Sequence, residues 1–504
     1  MTATDIKDIM KVYARSAQAK AMTAMLKDKK QRHAVVNGLT QSAAALYIAV
    51  TAKSVGRPLL IIMRDADEAG YMYQDLHTMV GDIAKYFPSS YKRAVKFGQR
   101  DASSEILRTE ILSELASPSS TPLIVTYPSA LAEMVISKEN IVESSISIQR
   151  GQRVQMTQVV HKLRELGFTE CDYVYEPGQF AVRGSILDVY SYSCEYPYRL
   201  DFFGDEIDTL RTFDVETQLS SDRLDNATIM PEVAATKTEK VPLPDLLPDD
   251  TVIITHDKAF VIDDIDFIYK EGFSNAAKTD RLSGVTEAEK ADVMRELTRE
   301  LNLCQASRFE KSIERFKTIE LTGGRATPAN ATHLTMSTTP QPLFHKNFEL
   351  LAQTMDDYQL KGYKTCILSD SDKQHERLSV ILDEKKVTFT AVKGTLHEGF
   401  IDNDQQTVLF TDHQIFERFH KYQLKAETTK RGKAALTMKE LQEMEPGDYI
   451  VHVDFGIGKF GGLVRIPTVS PSGEQSYQEV IRIIYQKNDK VDVSIHSQIG
   501  RAHV

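Results

Sequence analysis

The sequence predicts a multidomain α/β protein. It reads as a P-loop-like α/β domain interrupted by a small inserted α+β domain, a second small α/β domain, and the start of a small all-β barrel. Three observations carry this expectation. Residues 32–63 run as apolar strand, glycine-led turn, apolar helix and apolar strand, the order of a βαβ unit. Residues 173–214 shift to short strands of alternating polarity parted by glycine turns. Residues 449–495 hold three further strands, at 449–451, 479–485 and 490–495, around a glycine bend and the turn Lys487-Asn488-Asp489.

A chain of 504 residues has room for three to five domains. Its 41% hydrophobic and 26% charged content is that of a globular protein. No apolar run approaches the roughly 20 residues that span a bilayer, and Met1-Thr2-Ala3-Thr4-Asp5 does not open a secretion signal. Cys171, Cys194, Cys304 and Cys366 are widely spaced, without metal-ligand spacing, and are expected as reduced thiols of a cytoplasmic protein. A net charge of −10 argues against a nucleic-acid footprint over the whole chain and suits a protein that binds proteins.

Taken in order, residues 1–30 are expected to be helical, and the basic residues 27–32 sit where a helix C-terminus favours cations. Strand 32–37 leads into Gly38-Leu39-Thr40-Gln41-Ser42-Ala43-Ala44, helix 45–52 and strand 57–63. A working P-loop places glycine N–H groups around phosphate, a lysine on the β/γ oxygens and a hydroxyl on Mg²⁺. Counted from Gly38, Ala43 stands at the second glycine and Ala44-Ala45 at the Lys-Ser/Thr pair; Ser42 is the nearest hydroxyl. The scaffold of a nucleotide site is expected without its chemistry, because the lysine is the main charge partner of the phosphates.

Helix 102–116, strand 123–126 and helix 157–166 deliver the chain to residues 173–214. There Glu176-Pro177-Gly178 is a turn, Phe180-Ala181-Val182-Arg183 and Ile186-Leu187-Asp188-Val189 are strands, and Tyr198-Arg199-Leu200-Asp201-Phe202 alternates. Arg199 and Asp201 share one face, and the sheet is expected to be apolar on one side and charged on the other. From Phe213 the chain is expected to return to its first domain, through strand 251–256 and helices 286–303 and 307–316. Residues 323–342, rich in Thr, Pro, Ala and Ser, read as a linker. Residues 343–425 read as a compact α/β unit, with helices 347–361 and 371–382 and strands 365–368 and 409–411. His397, Asp412 and His413 lie there without ligand spacing or a nucleophile motif, and capping or hydrogen-bonding roles are expected.

The words Gly178-x-Phe180-x-x-Arg183-Gly184, Ile186-Leu187-Asp188-Val189 and Arg199-x-Asp201-Phe202-Phe203-x-Asp205-Glu206-Ile207 resemble the UvrA-binding domain shared by UvrB and the transcription-repair coupling factors. Leu396-His397-x-Gly399-Phe400 and 411–418 resemble the third domain of coupling factors, and 446–463 resembles the opening of their CarD-like, RNA-polymerase-interacting domain. The likeness covers nearly all of 1–498. It implies a discontinuous UvrB-like degenerate P-loop domain at 1–129 and 215–322, and a UvrA-binding domain at 130–214. After the linker and the α/β unit it implies a basic linker at 426–445 and a truncated CarD-like domain at 446–498. Residues 499–504 leave the family pattern and equal one reading frame of a sequencing adapter, so an artefactual tail on a truncated gene is expected.

The resemblance implies transcription-coupled nucleotide-excision repair, with stalled RNA polymerase bound and UvrA recruited. It implies Phe180, Arg183, Arg199 and Asp201 toward UvrA, and Arg199 would contribute less than Arg183 if it were partly tied to Asp201. It implies Ile481, Ile483 and Tyr485, on an exposed edge strand, toward the polymerase β subunit. Gly38, Ser42, Ala43, Ala44 and Ala45 mark the decayed nucleotide site. No catalysis, cofactor or metal is expected here; ATP, Mg and most DNA contact belong to the family's translocase motor, which is absent from this sequence. Two rival readings are a UvrB-like ATP-dependent helicase, disfavoured by the missing lysine, and a CarD-type polymerase regulator, disfavoured by the long region before 446.

Overall fold

A computed structural model describes residues 4–90, 102–116, 121–215, 217–231, 240–271, 302–322, 324, 327–418, 421–422, 446–452, 456–469, 475–485, 490–494 and 499–501. The expected helix 286–303 falls mainly outside these residues, and the basic linker 426–445 does so entirely. The fold is mixed α/β, with parallel and antiparallel sheets. It divides into one body of residues 1–213 and 220–423 and a second of 214–219 and 424–504.

The first body is built on a seven-stranded parallel sheet. Across it lie Thr332–Thr335, His33–Asn37, Lys317–Glu320, Val252–Thr255, Leu59–Ile62, Leu123–Thr126 and Ala84–Tyr86. Its inner strands, LLII, VIIT and LIVT, are buried along their length, as continuous apolar runs require when both faces are covered. Helix Gln41–Val55 follows His33–Asn37 and is buried almost all round, from Ala43 through Val50. It ends at Gly56 in the left-handed conformation.

A second sheet orders Thr4–Asp5, Thr390–Lys393, Lys364–Ser369, Thr407–Thr411, Phe400–Asp402 and Thr338–Pro340, the first four parallel and the last two antiparallel. Helices Phe348–Leu360 and Asp372–Asp383 cover a core of Leu351, Met355, Ile367, Leu378 and Phe410. The segment expected as a linker, 323–342, contributes two strands among its described residues. Thr332–Thr335 closes one edge of the first sheet, and Thr338–Pro340 extends the second. Its threonines are β-branched and suit a pleated edge as well as a loop, which is why composition misleads here.

The inserted domain is a six-stranded sheet of Ser220–Arg223, Glu206–Phe213, Tyr198–Phe203, Ile186–Val189, Gln179–Arg183 and Thr169–Glu170, antiparallel except for the last pair. Helix Met156–Glu165 packs Val159, Val160 and Leu163 onto Phe180, Leu187, Val189, Leu200, Phe202 and Leu210. The chain does not leave at Phe213. Asn226–Ile229 pairs with Ile146–Gln149, and Ala227 and Ile229 enter the same core.

The second body holds an antiparallel sheet in the order Lys490–Ser494, Gln475–Ile484, Gly456–Val469, Tyr449–His452, Ile499–Arg501. A register shift between Phe460 and Leu463 brackets Gly461 and Gly462, the latter at φ +99°. Ile450, Phe460, Ile481, Ile483 and Val493 form its core. Ile499–Arg501, expected as part of an artefactual tail, pairs with Tyr449–His452.

Candidate protein-docking site

The charged side of the inserted sheet is organised by one carboxylate. Asp188 is fully buried in the strand Ile186–Val189. Register places it opposite Arg199, whose Nε donates to Oδ1 at 2.7 Å and whose Nη2 donates to Oδ2 at 2.9 Å. Arg183 Nη2 donates to the same Oδ2. Each guanidinium also stacks on a ring: Arg199 lies 4.2 Å from the Phe213 centroid, and Arg183 lies 4.8 Å from that of Tyr173. Arg183 keeps about a third of its side chain exposed, whereas Arg199 is mostly buried.

Arg183 and Arg199, 16 residues apart in sequence, therefore meet on one buried anion. Arg199 is tied to Asp188 and not to Asp201, because residues directly opposite on neighbouring strands are closer than residues two apart on one strand. Asp201 accepts from Ser185 Oγ at 3.0 Å and lies 3.9 Å from Arg211 Nη2. Phe180 is in the core, on the opposite side of its strand from Ala181, and supports the face without being part of it.

The sequence reading missed two arginines. Arg199, Arg211 and Arg223 are consecutive partners across three strands, in one row with Asp188 and Ala181. Arg211 is part-buried and its Nε has no hydrogen-bond partner; Arg223 is exposed. Counting hairpin register outward from the turn at Gly204 puts Leu210 opposite Arg199; the bulge between Asp201 and Phe202 shifts the partner to Arg211, and nothing in the sequence marks that bulge.

At the degenerate nucleotide turn, Gly38 takes φ +80°, and a Cβ there would collide with the Met336 carbonyl. The start of helix Gln41–Val55 is met by protein groups. Thr338 Oγ1 accepts from Thr40 N–H at 2.9 Å and donates to Gly38 O at 2.8 Å. Ser42 Oγ donates to Asp75 Oδ2 at 2.6 Å and accepts from Glu398 N–H at 2.9 Å. Asp75 Oδ1 accepts from His397 N–H at 2.7 Å. Burial pushes the Asp75 carboxyl up to about 7, against the two donated hydrogen bonds, which favour the anion. Ala43, Ala44 and Ala45 are buried and offer no polar group.

In the second body, the part of strand Gln475–Ile484 that carries Ile481 and Ile483 is not an edge. Val480–Ile484 is paired on both sides, by Gly456–Val469 and by Lys490–Ser494. Ile481 and Ile483, expected to face a partner, are at most 1% exposed, and Tyr485 packs against the same core. The alternation that marked them as apolar anchors is the alternation of a core face. Among the described residues, the outer strands of this sheet are Lys490–Ser494 and Ile499–Arg501.

His397, Asp412 and His413 make internal contacts. His413 Nε2 lies 2.8 Å from the His397 carbonyl oxygen, and the His397 ring stacks on Tyr71. Asp412 accepts from Ser369 Oγ at 2.8 Å and from Arg418 Nη2 at 2.5 Å. Among the described residues no group of three or more His, Cys, Asp or Glu could hold a metal ion. Nor is any described helix long and apolar enough to cross a membrane.

Two family models match parts of this chain. The UvrB interaction domain matches residues 146–234, which contain the whole arginine face, and the CarD-like/TRCF RID domain matches residues 444–498. The chain is homologous to transcription-repair-coupling factors over about nine-tenths of its length. It is 23% identical to the transcription-repair-coupling factor of Bacillus subtilis strain 168 over 525 residues, and 23% to that of Staphylococcus aureus strain bovine RF122/ET3-1 over 531. The Staphylococcus haemolyticus protein of the same name is also 23% identical. The chain spans 44% of the length of each of these relatives.

Proposed function

We propose that this chain is the recruiting and docking portion of a transcription-repair coupling factor, acting in transcription-coupled nucleotide-excision repair. UvrA binds the Arg183 and Arg199 face of the inserted domain. The sheet of residues 446–498 docks the β subunit of RNA polymerase, and strand pairing there uses an outer strand such as Lys490–Ser494, because Val480–Ile484, which carries Ile481 and Ile483, is paired on both sides. The chain itself holds no nucleotide and is not an enzyme. Thr40 N–H and the Ser42 hydroxyl, in the turn where phosphate would sit, are engaged with Thr338, Asp75 and Glu398, and the turn 38–45 carries no lysine.

The single observation that carries this reading is the pair of guanidiniums set side by side by buried Asp188, within the segment matching the UvrB interaction domain. Arginine's planar fork binds carboxylates bidentately, and interfaces use it as an anchor. The test titrates the full chain over immobilised UvrA and polymerase β subunit, with ATP followed in parallel by calorimetry. Both proteins should bind and ATP should not. Arg183→Ala should weaken UvrA binding by roughly 2–4 kcal/mol and leave the β subunit unaffected. A folded Arg183→Ala variant that binds UvrA as tightly as the parent, or a micromolar Kd for ATP, would contradict the reading.

A further inference from the structure

Resting on that reading, we infer that Arg211 and Arg223 extend the docking face into a three-arginine row, and that the row recognises a carboxylate-bearing segment of the protein partner. Arg199, Arg211 and Arg223 stand directly opposite one another on three neighbouring strands. Like charges in that relation repel across a sheet. The one carboxylate in the row, Asp188, already receives Arg199 twice and Arg183 once. Asp201 reaches only one Nη of Arg211, at 3.9 Å, while it accepts from Ser185. Arg211 therefore carries a buried Nε–H with no acceptor, and Arg223 an exposed cation with no ion-pair partner among the described residues.

The imbalance is local, since the chain as a whole carries a net charge of −10. An acidic partner segment supplies the counter-charge that the row lacks, at the exposed part of Arg211 and at exposed Arg223. The strands lie about 4.8 Å apart. Carboxylates three or four residues apart on a helix lie about 5–6 Å apart. An acidic helix face running across the strands thus meets successive arginines. Such a contact also fixes the partner's direction, because the row is anchored by Asp188 at one end and open at Arg223.

The test measures binding of the full chain to immobilised UvrA as Arg211→Glu, Arg211→Lys, Arg223→Glu and the double Glu variant, with Arg183→Ala alongside and circular dichroism for folding. Arg211→Glu should weaken binding at least tenfold, the double Glu variant about a hundredfold, and Arg211→Lys less than Arg211→Glu. The dependence of Kd on salt should flatten in the double variant. If Arg183→Ala weakens binding but folded Arg211→Glu and Arg223→Glu bind like the parent, the row is not a recognition element and this inference falls alone. If none of them weakens binding, the docking reading falls with it. If the Glu variants weaken binding while Arg183→Ala does not, the row stands and the assignment of Arg183 falls. A labelled DNA duplex bound by the parent at micromolar concentration and lost in the double Glu variant would make the row a phosphate contact, which overturns the acidic-segment inference.

Discussion

Asp188 is a fully buried carboxylate answered by two arginines, and at the residue scale that arrangement bears first on stability. Burying an ion costs several kcal/mol, which only good geometry and further hydrogen bonds offset. Here the fork of Arg199 meets both carboxylate oxygens, and Arg183 adds a third donor. Removing the anion would leave two cations facing each other on a half-buried surface. Asp188→Ala is therefore expected to cost about 3–5 kcal/mol of stability, read by urea denaturation. A loss below about 0.5 kcal/mol would show that the cluster contributes no net stability. The two arginines were legible in the sequence as charged positions on short strands. Their partner was not, because Asp188 stands inside the apolar run Ile186-Leu187-Asp188-Val189 and only strand register reveals what faces it.

At the scale of elements, the helix Gln41–Val55 shows how a nucleotide-type turn persists without nucleotide-type contacts. Its N-terminus is tied through Ser42 to Asp75 of helix Ala66–Val80 and to the Glu398 backbone, and Asp75 in turn accepts from His397 N–H. Burial holds the Asp75 carboxyl at about 7 when folded, whereas an unfolded aspartate titrates near ~3.9. Between those values the folded chain binds a proton that the unfolded chain does not. The contribution is therefore full below the unfolded pKa and is lost as pH rises through about 7, with a slope of at most ~1.4 kcal/mol per pH unit. Asp75→Asn keeps an acceptor and a donor at the site and removes the titration. Urea denaturation at pH 5 and pH 8 should show the parent losing more stability than the variant across that interval. Parallel losses in both would mean that Asp75 does not titrate there. The glycine-led turn before this helix was readable in the sequence. What fills it was not, since Thr338 and Glu398 lie about 300 and 356 residues from the residues they touch. The same limit explains Ile481 and Ile483. Their alternation was visible, but whether an apolar face meets a core or a partner depends on neighbouring strands.

At the scale of the whole molecule, the chain combines a parallel-sheet scaffold, a second α/β unit and an inserted antiparallel domain, and it carries a separate antiparallel sheet. The order of these parts was legible because each changes hydrophobic period where it begins. Where the inserted domain ends was harder to read, since Asn226–Ile229 returns to pair with Ile146–Gln149 across about 80 residues. The central claim is that the arginine face, and not the scaffold, is where UvrA is held. Amide hydrogen exchange of the full chain, with and without UvrA, tests that claim most directly. Slowed exchange concentrated in 179–189 and 198–213 is the predicted result. Unchanged exchange there, with protection elsewhere in the chain, would contradict it.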